Sequence, residues 1–201
     1  MPGGTMALIV SSNSCVVEDE LSKGKLLCPS CKGVLRPWGR CRTRTVRLKD
    51  GVTEVTPRRS RCTSCSKTHA LLPNKLLLRR VDEVDVIGSA LLMSSTGDGY
   101  NKIATAVSRP ISTVRSWIRR FRAKAEIIRQ HFTIWAIALD PSLGEIKGSG
   151  SLFKDALDAL GVAVRSATLR FGVRPPFSLA SHMTEGRLLY NTSSPFPTPN
   201  K

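Results

Sequence analysis

Two Cys-x-x-Cys sequences, Cys28-Pro29-Ser30-Cys31 and Cys62-Thr63-Ser64-Cys65, stand thirty residues apart in this chain. Two residues between cysteines let both sulfurs point inward from one tight turn. Two such turns complete a tetrahedral thiolate shell around a zinc ion at about 2.3 Å. Gly33 after the first pair and Lys67 after the second suit turns whose amides face the thiolates. The centre would be dianionic, and Lys32, Arg61 and Lys67 would offset that charge. A redox pair would stand alone before a helix in an alternating α/β pattern, which is absent. A catalytic zinc would keep an open position and usually mixes His with Cys. The reading is therefore a structural Zn2+ on Cys28, Cys31, Cys62 and Cys65. Metal binding would supply much of the folding free energy of residues 25–73, on the order of 10 kcal/mol in comparable peptides. His69, four residues past Cys65, either substitutes as a ligand or packs and hydrogen-bonds locally, and the second role is expected. Cys15 and Cys41 lack partner spacing and read as ordinary thiols.

Around this centre the chain divides into segments. Residues 1–24 read as a flexible N-terminal arm with a short strand at Ala7–Val10. Residues 25–73 read as a small antiparallel ribbon with little core. In it Thr43 to Leu48 alternate as a strand, Lys49-Asp50-Gly51 turns, and Val52 to Thr56 return. Residues 74–81 form a basic connector. Residues 82–124 read as three helices, with Asp82 capping the first, a break at Gly97-Asp98-Gly99, a short second helix from Tyr100 to Val107, and Ser112 capping the third. Accessory helices follow over 126–172, and the Ser/Thr/Pro-rich residues 191–201 read as a disordered tail. The fold class expected is α+β, mostly α: a small β zinc ribbon, a three-helix helix-turn-helix domain, then further C-terminal helices.

Charge narrows the choice of partners. The formal net charge is +16, and residues 25–80 alone hold fifteen Lys or Arg against two acids. Such an excess attracts polyanions and speeds their capture. The basic region is not an amphipathic helix, so a membrane surface is disfavoured. No apolar run is long enough to span a bilayer, and the short Met6–Val10 run lacks a basic leader, so no signal peptide is expected. The expected setting is cytoplasmic and nucleoid-associated.

The segment from Tyr100 to Phe121 has the spacing of a helix-turn-helix. Ile103, Val107, Val114, Trp117 and Ile118 fit the apolar positions where two helices touch, and Ala104 fits the position of closest approach. Ser108 stands where glycine is commoner. The outward face is then Ser112, Thr113, Arg115, Ser116, Arg119 and Arg120. Arg115 and Arg119, four apart on one face, can reach guanine edges or phosphates of double-stranded DNA. Arg109, Arg120, Arg122 and Lys124 read as backbone clamps. Residues 109–124 carry six basic side chains and no acid. A zinc-dependent protein-interaction module without DNA binding is the alternative, with Trp117 or Phe121 as anchor and a recombinase or polymerase as partner. A third reading is RNA binding by the basic ribbon, Arg36 to Arg61.

Cys-Pro-x-Cys, Arg61-Cys62-x-x-Cys65, Thr68-His69-Ala70-Leu71-Leu72-Pro73, Gly99-Tyr100, Ile103-Ala104 and the run Ser112 to Phe121 together resemble a bacterial family of uncharacterised zinc-ribbon plus helix-turn-helix proteins. That family is similar to the DNA-binding N-terminal part of insertion-sequence transposases. The resemblance covers residues 25–125 well and the C-terminal helices more weakly. It implies DNA binding, linked to mobile elements. With the charge and motif reading, the function expected is a zinc-containing helix-turn-helix DNA-binding protein, transposase-related or a transcriptional regulator.

No enzyme is expected. Three spaced carboxylates holding magnesium would be needed for transposition, but Glu126, Asp140, Glu145, Asp155, Asp158 and Glu185 lie in helical or Gly-rich segments too short for such a domain. Leu152 to Phe171 carries the stripe Phe153, Ala156, Leu157, Leu160, Val164 and Phe171. That stripe either makes a homodimer or packs on Phe132 and Trp135 of the same chain, the second being expected.

Overall fold

In a computed structural model of the protein, residues 6–190 and residue 196 are described. The architecture is α+β and mostly helical. A sheet-containing half runs β1 (Met6–Val10), α1 (Ser14–Ser22), β2 (Leu35–Arg40), β3 (Arg44–Leu48), β4 (Gly51–Val55), β5 (Arg58–Cys62) and β6 (Thr68–Pro73). A helical half follows: α2 (Val84–Ser95), α3 (Tyr100–Ala106), α4 (Ile111–Arg122), α5 (Ala125–Leu139), α6 (Leu152–Phe171) and α7 (Pro176–Met183). Among the described residues no helix is long and apolar enough to cross a membrane.

Four strands form one sheet in the order β1-β6-β5-β2, while β3 and β4 form a separate hairpin. β1 runs parallel to β6, with Leu8 opposite Leu71, and the other pairings are antiparallel. Side chains alternate across a strand, so the neighbours Leu71 and Leu72 serve two cores. Leu71 packs with Val10, Val17, Leu21 and Leu35, beneath α1. Leu72 packs with Ile9, Val46 and Leu76, beneath the β3–β4 hairpin.

These observations revise the expected boundaries. Residues 6–24 are not a loose arm: β1 supplies one of the two outer strands, and α1, capped by Asn13 accepting from the Cys15 amide at 2.9 Å, covers the sheet with Val17 and Leu21. The ribbon is accordingly larger than an antiparallel pair and has its own core. The β3–β4 hairpin itself lies where the alternation placed it, with Val46 fully buried. The expected tail over 191–201 lies outside the described residues except for Phe196, which is buried with its ring 4.8 Å from that of His131.

One apolar cluster unites all six helices of the second half. Phe153, Leu157, Leu160 and Val164 are buried in it, whereas Phe171, at the end of the expected stripe, is exposed. The stripe is thus covered within the chain, with the Phe153 ring 5.1 Å from that of Phe121 in an edge-on contact. α2 meets α7 at Gly88, where even a methyl group would come within 2.1 Å of the Phe177 ring.

The two halves are clamped together by Asp82. Its carboxylate does not cap α2, whose N-cap is Glu83. Instead Oδ2 accepts from Arg47 of the hairpin at 2.8 Å and Oδ1 accepts from Arg109, just before α4, at 2.6 Å. The backbone reinforces the junction: the Arg47 amide donates to the Val81 carbonyl, and the Glu83 amide to that of Arg47.

Candidate metal centre and basic helix face

The two cysteine turns are built alike. In the first, the Cys28 amide donates to the Gly33 carbonyl and the Lys32 amide to that of Cys28. In the second, the Cys62 amide donates to Lys67 and the Ser66 amide to Cys62. Each turn closes through a left-handed residue directly after its second cysteine, Lys32 at φ 61° and Ser66 at φ 58°. The turns pack tightly against each other. A Cβ on Gly33 would lie 2.3 Å from Ser64 Oγ and 2.9 Å from Cys62 Sγ, so only glycine fits there.

This packing brings the four sulfurs within 4.8 Å of one another, with Cys31 and Cys62 at 3.4 Å and Cys28 and Cys65 at 3.7 Å. Four ligands at about 2.3 Å from a tetrahedral centre are about 3.8 Å apart, so the cluster could hold a metal ion. The amides of Ser64 and Cys65 approach Cys62 Sγ at 3.4 and 3.5 Å. Those amides, that of Cys65 foremost, bring the Cys62 thiol down to about 6. Cys31 moves the other way, to about 12: the Gly33 amide favours its thiolate, but the neighbouring Cys62 and Cys65 sulfurs outweigh it. Four adjacent sulfurs do not all ionise by themselves, and a divalent cation is what would make all four thiolates.

His69 is fully buried, with Nε2 3.4 Å from Cys28 Sγ. It therefore sits behind the sulfurs as a hydrogen-bonding neighbour of Cys28. Cys15 is exposed and Cys41 partly so, away from the cluster.

In the helical half, α3 and α4 are joined by a four-residue turn, 107–110. Ser108 adopts φ 52°, the left-handed conformation for which glycine is the usual residue. Val114, Trp117, Ile118 and Phe121 form the buried face of α4. Trp117 and Phe121 are core residues and so neither can anchor a partner protein.

The opposite face of α4 holds most of the side chains expected to touch DNA. Ser112, Arg115, Arg119 and Arg122 are exposed; Thr113, Ser116 and Arg120 are partly exposed. Ser112, Arg115, Ser116, Arg119 and Arg122 line an open groove of about 900 Å³, together with Tyr100. The Arg115 guanidinium lies 5.3 Å over the Tyr100 ring, and Arg120 Nε donates to Ser116 Oγ at 3.2 Å. Ser112 is the second residue of α4 and does not cap it; the N-cap is Pro110.

Two of the expected clamps lie elsewhere. Arg109 is directed inward, its side chain 7% exposed, with Nε on Asp82 and Nη2 on the Leu48 carbonyl at 2.6 Å. It cannot touch a phosphate without leaving the core. Lys124 is half-buried, 5.8 Å from the Phe196 ring, and burial lowers its pKa, with Arg187 adding to the shift. The sequence reading missed Arg47, Arg79 and Arg80, which reach the start of α4 from the hairpin and connector. The local excess of positive charge over 25–80 was the available signal.

A family model described as a domain of unknown function (DUF6431) matches residues 28–117, a span that begins at the first cysteine of the four-sulfur cluster and ends at Trp117 in the core face of α4. No curated protein and no solved structure matches the chain.

Proposed function

We propose that the chain is a zinc-containing DNA-binding protein in which Cys28, Cys31, Cys62 and Cys65 hold a structural Zn2+ and α3–α4 act as a helix-turn-helix. Four thiolates in tetrahedral spacing are the donor set and geometry that zinc prefers, and a closed shell of this kind supports folding and leaves no position for a substrate. The observation that carries the DNA reading is the outer face of α4. Arg115, Arg119 and Arg122 stand in one open groove with Ser112 and Ser116, and residues 111–125 contain no acid. In the major groove, Arg115 and Arg119 are placed to read base edges and Arg122 to hold a phosphate. The resemblance to the DNA-binding part of insertion-sequence transposases favours a role as a transposition accessory or a regulator. No catalytic step is assigned.

Metal analysis of the purified chain should give one zinc per molecule, and Cys62→Ser should lose it. Duplexes selected from a random pool should bind with an affinity that falls steeply with salt. Arg115→Ala should relax sequence preference, whereas Arg122→Ala should weaken all duplexes alike. Zinc-loaded protein that binds no duplex in dilute buffer refutes the DNA reading.

The interaction-module reading keeps one specific support. Ile127, Ile134 and Ile137 on α5 are about half exposed. Co-purification of a single protein through that row, without duplex binding, would favour it.

A further inference from the structure

Between the β3–β4 hairpin and the first turns of α4 lies a cleft of about 320 Å³. Arg47 enters it from β3, Arg79 and Arg80 from the connector, and the hydroxyl residues Ser112, Thr113 and Ser116 from α4. Its charge is not balanced from within. Among the described residues the acid on its wall is Asp82 alone, and both carboxylate oxygens are already used, one by Arg47 and one by Arg109.

The arginines also keep unused donors. Nε of Arg47 and Nε of Arg80 are both buried without a hydrogen-bond acceptor among the described residues. An orphaned buried N–H is uncommon and costly. Arg80 is held in place by Nη2 donating to the Leu189 carbonyl at 3.1 Å. Burial, with the nearby positive charge of Arg120, works against its guanidinium charge. Arg79, at φ 57°, stacks on the Tyr190 ring at 5.2 Å. Three fixed guanidinium groups beside three hydroxyls suit a tetrahedral oxyanion.

We infer that this cleft is a phosphate-binding site, contributed jointly by the two halves of the chain, and that it seats one backbone phosphate of the duplex lying along α4. The inference rests on the DNA reading above for the source of the phosphate. Arg47, Arg79 and Arg80 supply the positive charge, and Ser112, Thr113 and Ser116 donate hydroxyls. The sheet-containing half thereby fixes where α4 sits along the backbone, while Arg115 and Arg119 meet the bases.

Two measurements on the zinc-loaded full chain test it. The first titrates inorganic phosphate, at constant ionic strength against chloride, into isotope-labelled protein. Saturable shifts of the Arg47 and Arg80 Nε–H signals and of the Ser112 and Thr113 amides are expected. The absence of any saturable shift there overturns the site, even if no substituted chain folds. The second compares wild type with Arg79→Ala, a residue whose side chain otherwise rests on Tyr190. The slope of log affinity against log salt should fall by about one, with the ranking of duplex sequences unchanged. Phosphate shifts with an unaltered slope would assign the cleft to a free phosphate ligand and overturn the backbone assignment. If wild type binds no duplex, the DNA reading fails by itself, and the phosphate titration alone decides the cleft.

Discussion

Replacing Arg109 by alanine separates two roles that the same side chain could hold. As a phosphate clamp it would change DNA affinity and leave stability alone. The structure gives it a different position. Its Nε donates to Asp82 at 2.6 Å, Nη2 to the Leu48 carbonyl at 2.6 Å and Nη1 to the Ser108 carbonyl at 2.9 Å, with both ion-pair side chains at or below 7% exposed. Removing Arg109 leaves the buried Asp82 with Arg47 on its other oxygen only, and leaves the Leu48 and Ser108 carbonyls without this donor. Breaking a buried pair of this kind typically costs about 3–5 kcal/mol. Against the usual folding free energies of about 5–15 kcal/mol, that is a large share. For a chain of this size it corresponds to a fall in Tm of roughly 6–20 °C. Urea unfolding followed by circular dichroism measures the loss, and salt-dependent anisotropy on a duplex measures the clamp. Asp82→Ala should destabilise comparably, and the double substitution should cost clearly less than the two single losses added, because the residues act as a unit. A loss below about 1 kcal/mol, combined with a salt slope lowered by about one, would refute the structural role and restore the clamp.

Three further outcomes follow from other contacts. Gly33→Ala puts a methyl group on Ser64 Oγ and Cys62 Sγ, so metal affinity by chelator competition should fall about tenfold or more, with partial recovery in the Gly33→Ala/Ser64→Gly chain; unchanged affinity would show that the turns are looser than described. Gly88→Ala should cost about 1–3 kcal/mol by overpacking against Phe177, and should become milder in a Phe177→Ala background. Burial holds the His131 imidazole at about 4, although its hydrogen bond with the Met183 carbonyl works the other way. The unfolded chain therefore binds the extra proton first, and stability present above pH 6.5 should be lost as pH falls towards 4, on the order of 3 kcal/mol. His131→Asn should flatten that window, and an identical pH profile for both chains would exclude this origin.

What could be read from the sequence was what local chemistry determines. The four cysteines are identified by spacing, the buried and basic sides of α4 by helical period, and the turn at Ser108 by its departure from glycine. The β3–β4 hairpin follows from alternation around Lys49-Asp50-Gly51. What escaped depends on contacts distant in the chain. β2 (Leu-Arg-Pro-Trp-Gly-Arg) and β5 (Arg-Arg-Ser-Arg-Cys) have weak strand propensity. They become strands because each pairs with the other and β6 supports β5. α1 offers only two buried residues, Val17 and Leu21, in a short acidic segment. α7 begins at a proline and is only eight residues long, too short to show a helical period clearly. Asp82 has the local context of a helix cap, and only the fold reveals that Arg47 and Arg109 take its two oxygens.

The parallel β1–β6 pairing bears on how the chain can be divided. A fragment cut at the limits of the matched domain, residues 28–117, would lack β1 and α1. It would leave the Thr68–Pro73 backbone as an open edge, with Leu71 stripped of Val10, Val17 and Leu21. It would also leave Gly88 facing solvent in place of Phe177. Bare edges and uncovered apolar faces recruit other chains, so such a fragment would aggregate even with its cysteine turns intact. The packed fold is wider than the matched stretch, and its first strand is made some sixty residues before the strand that it pairs with.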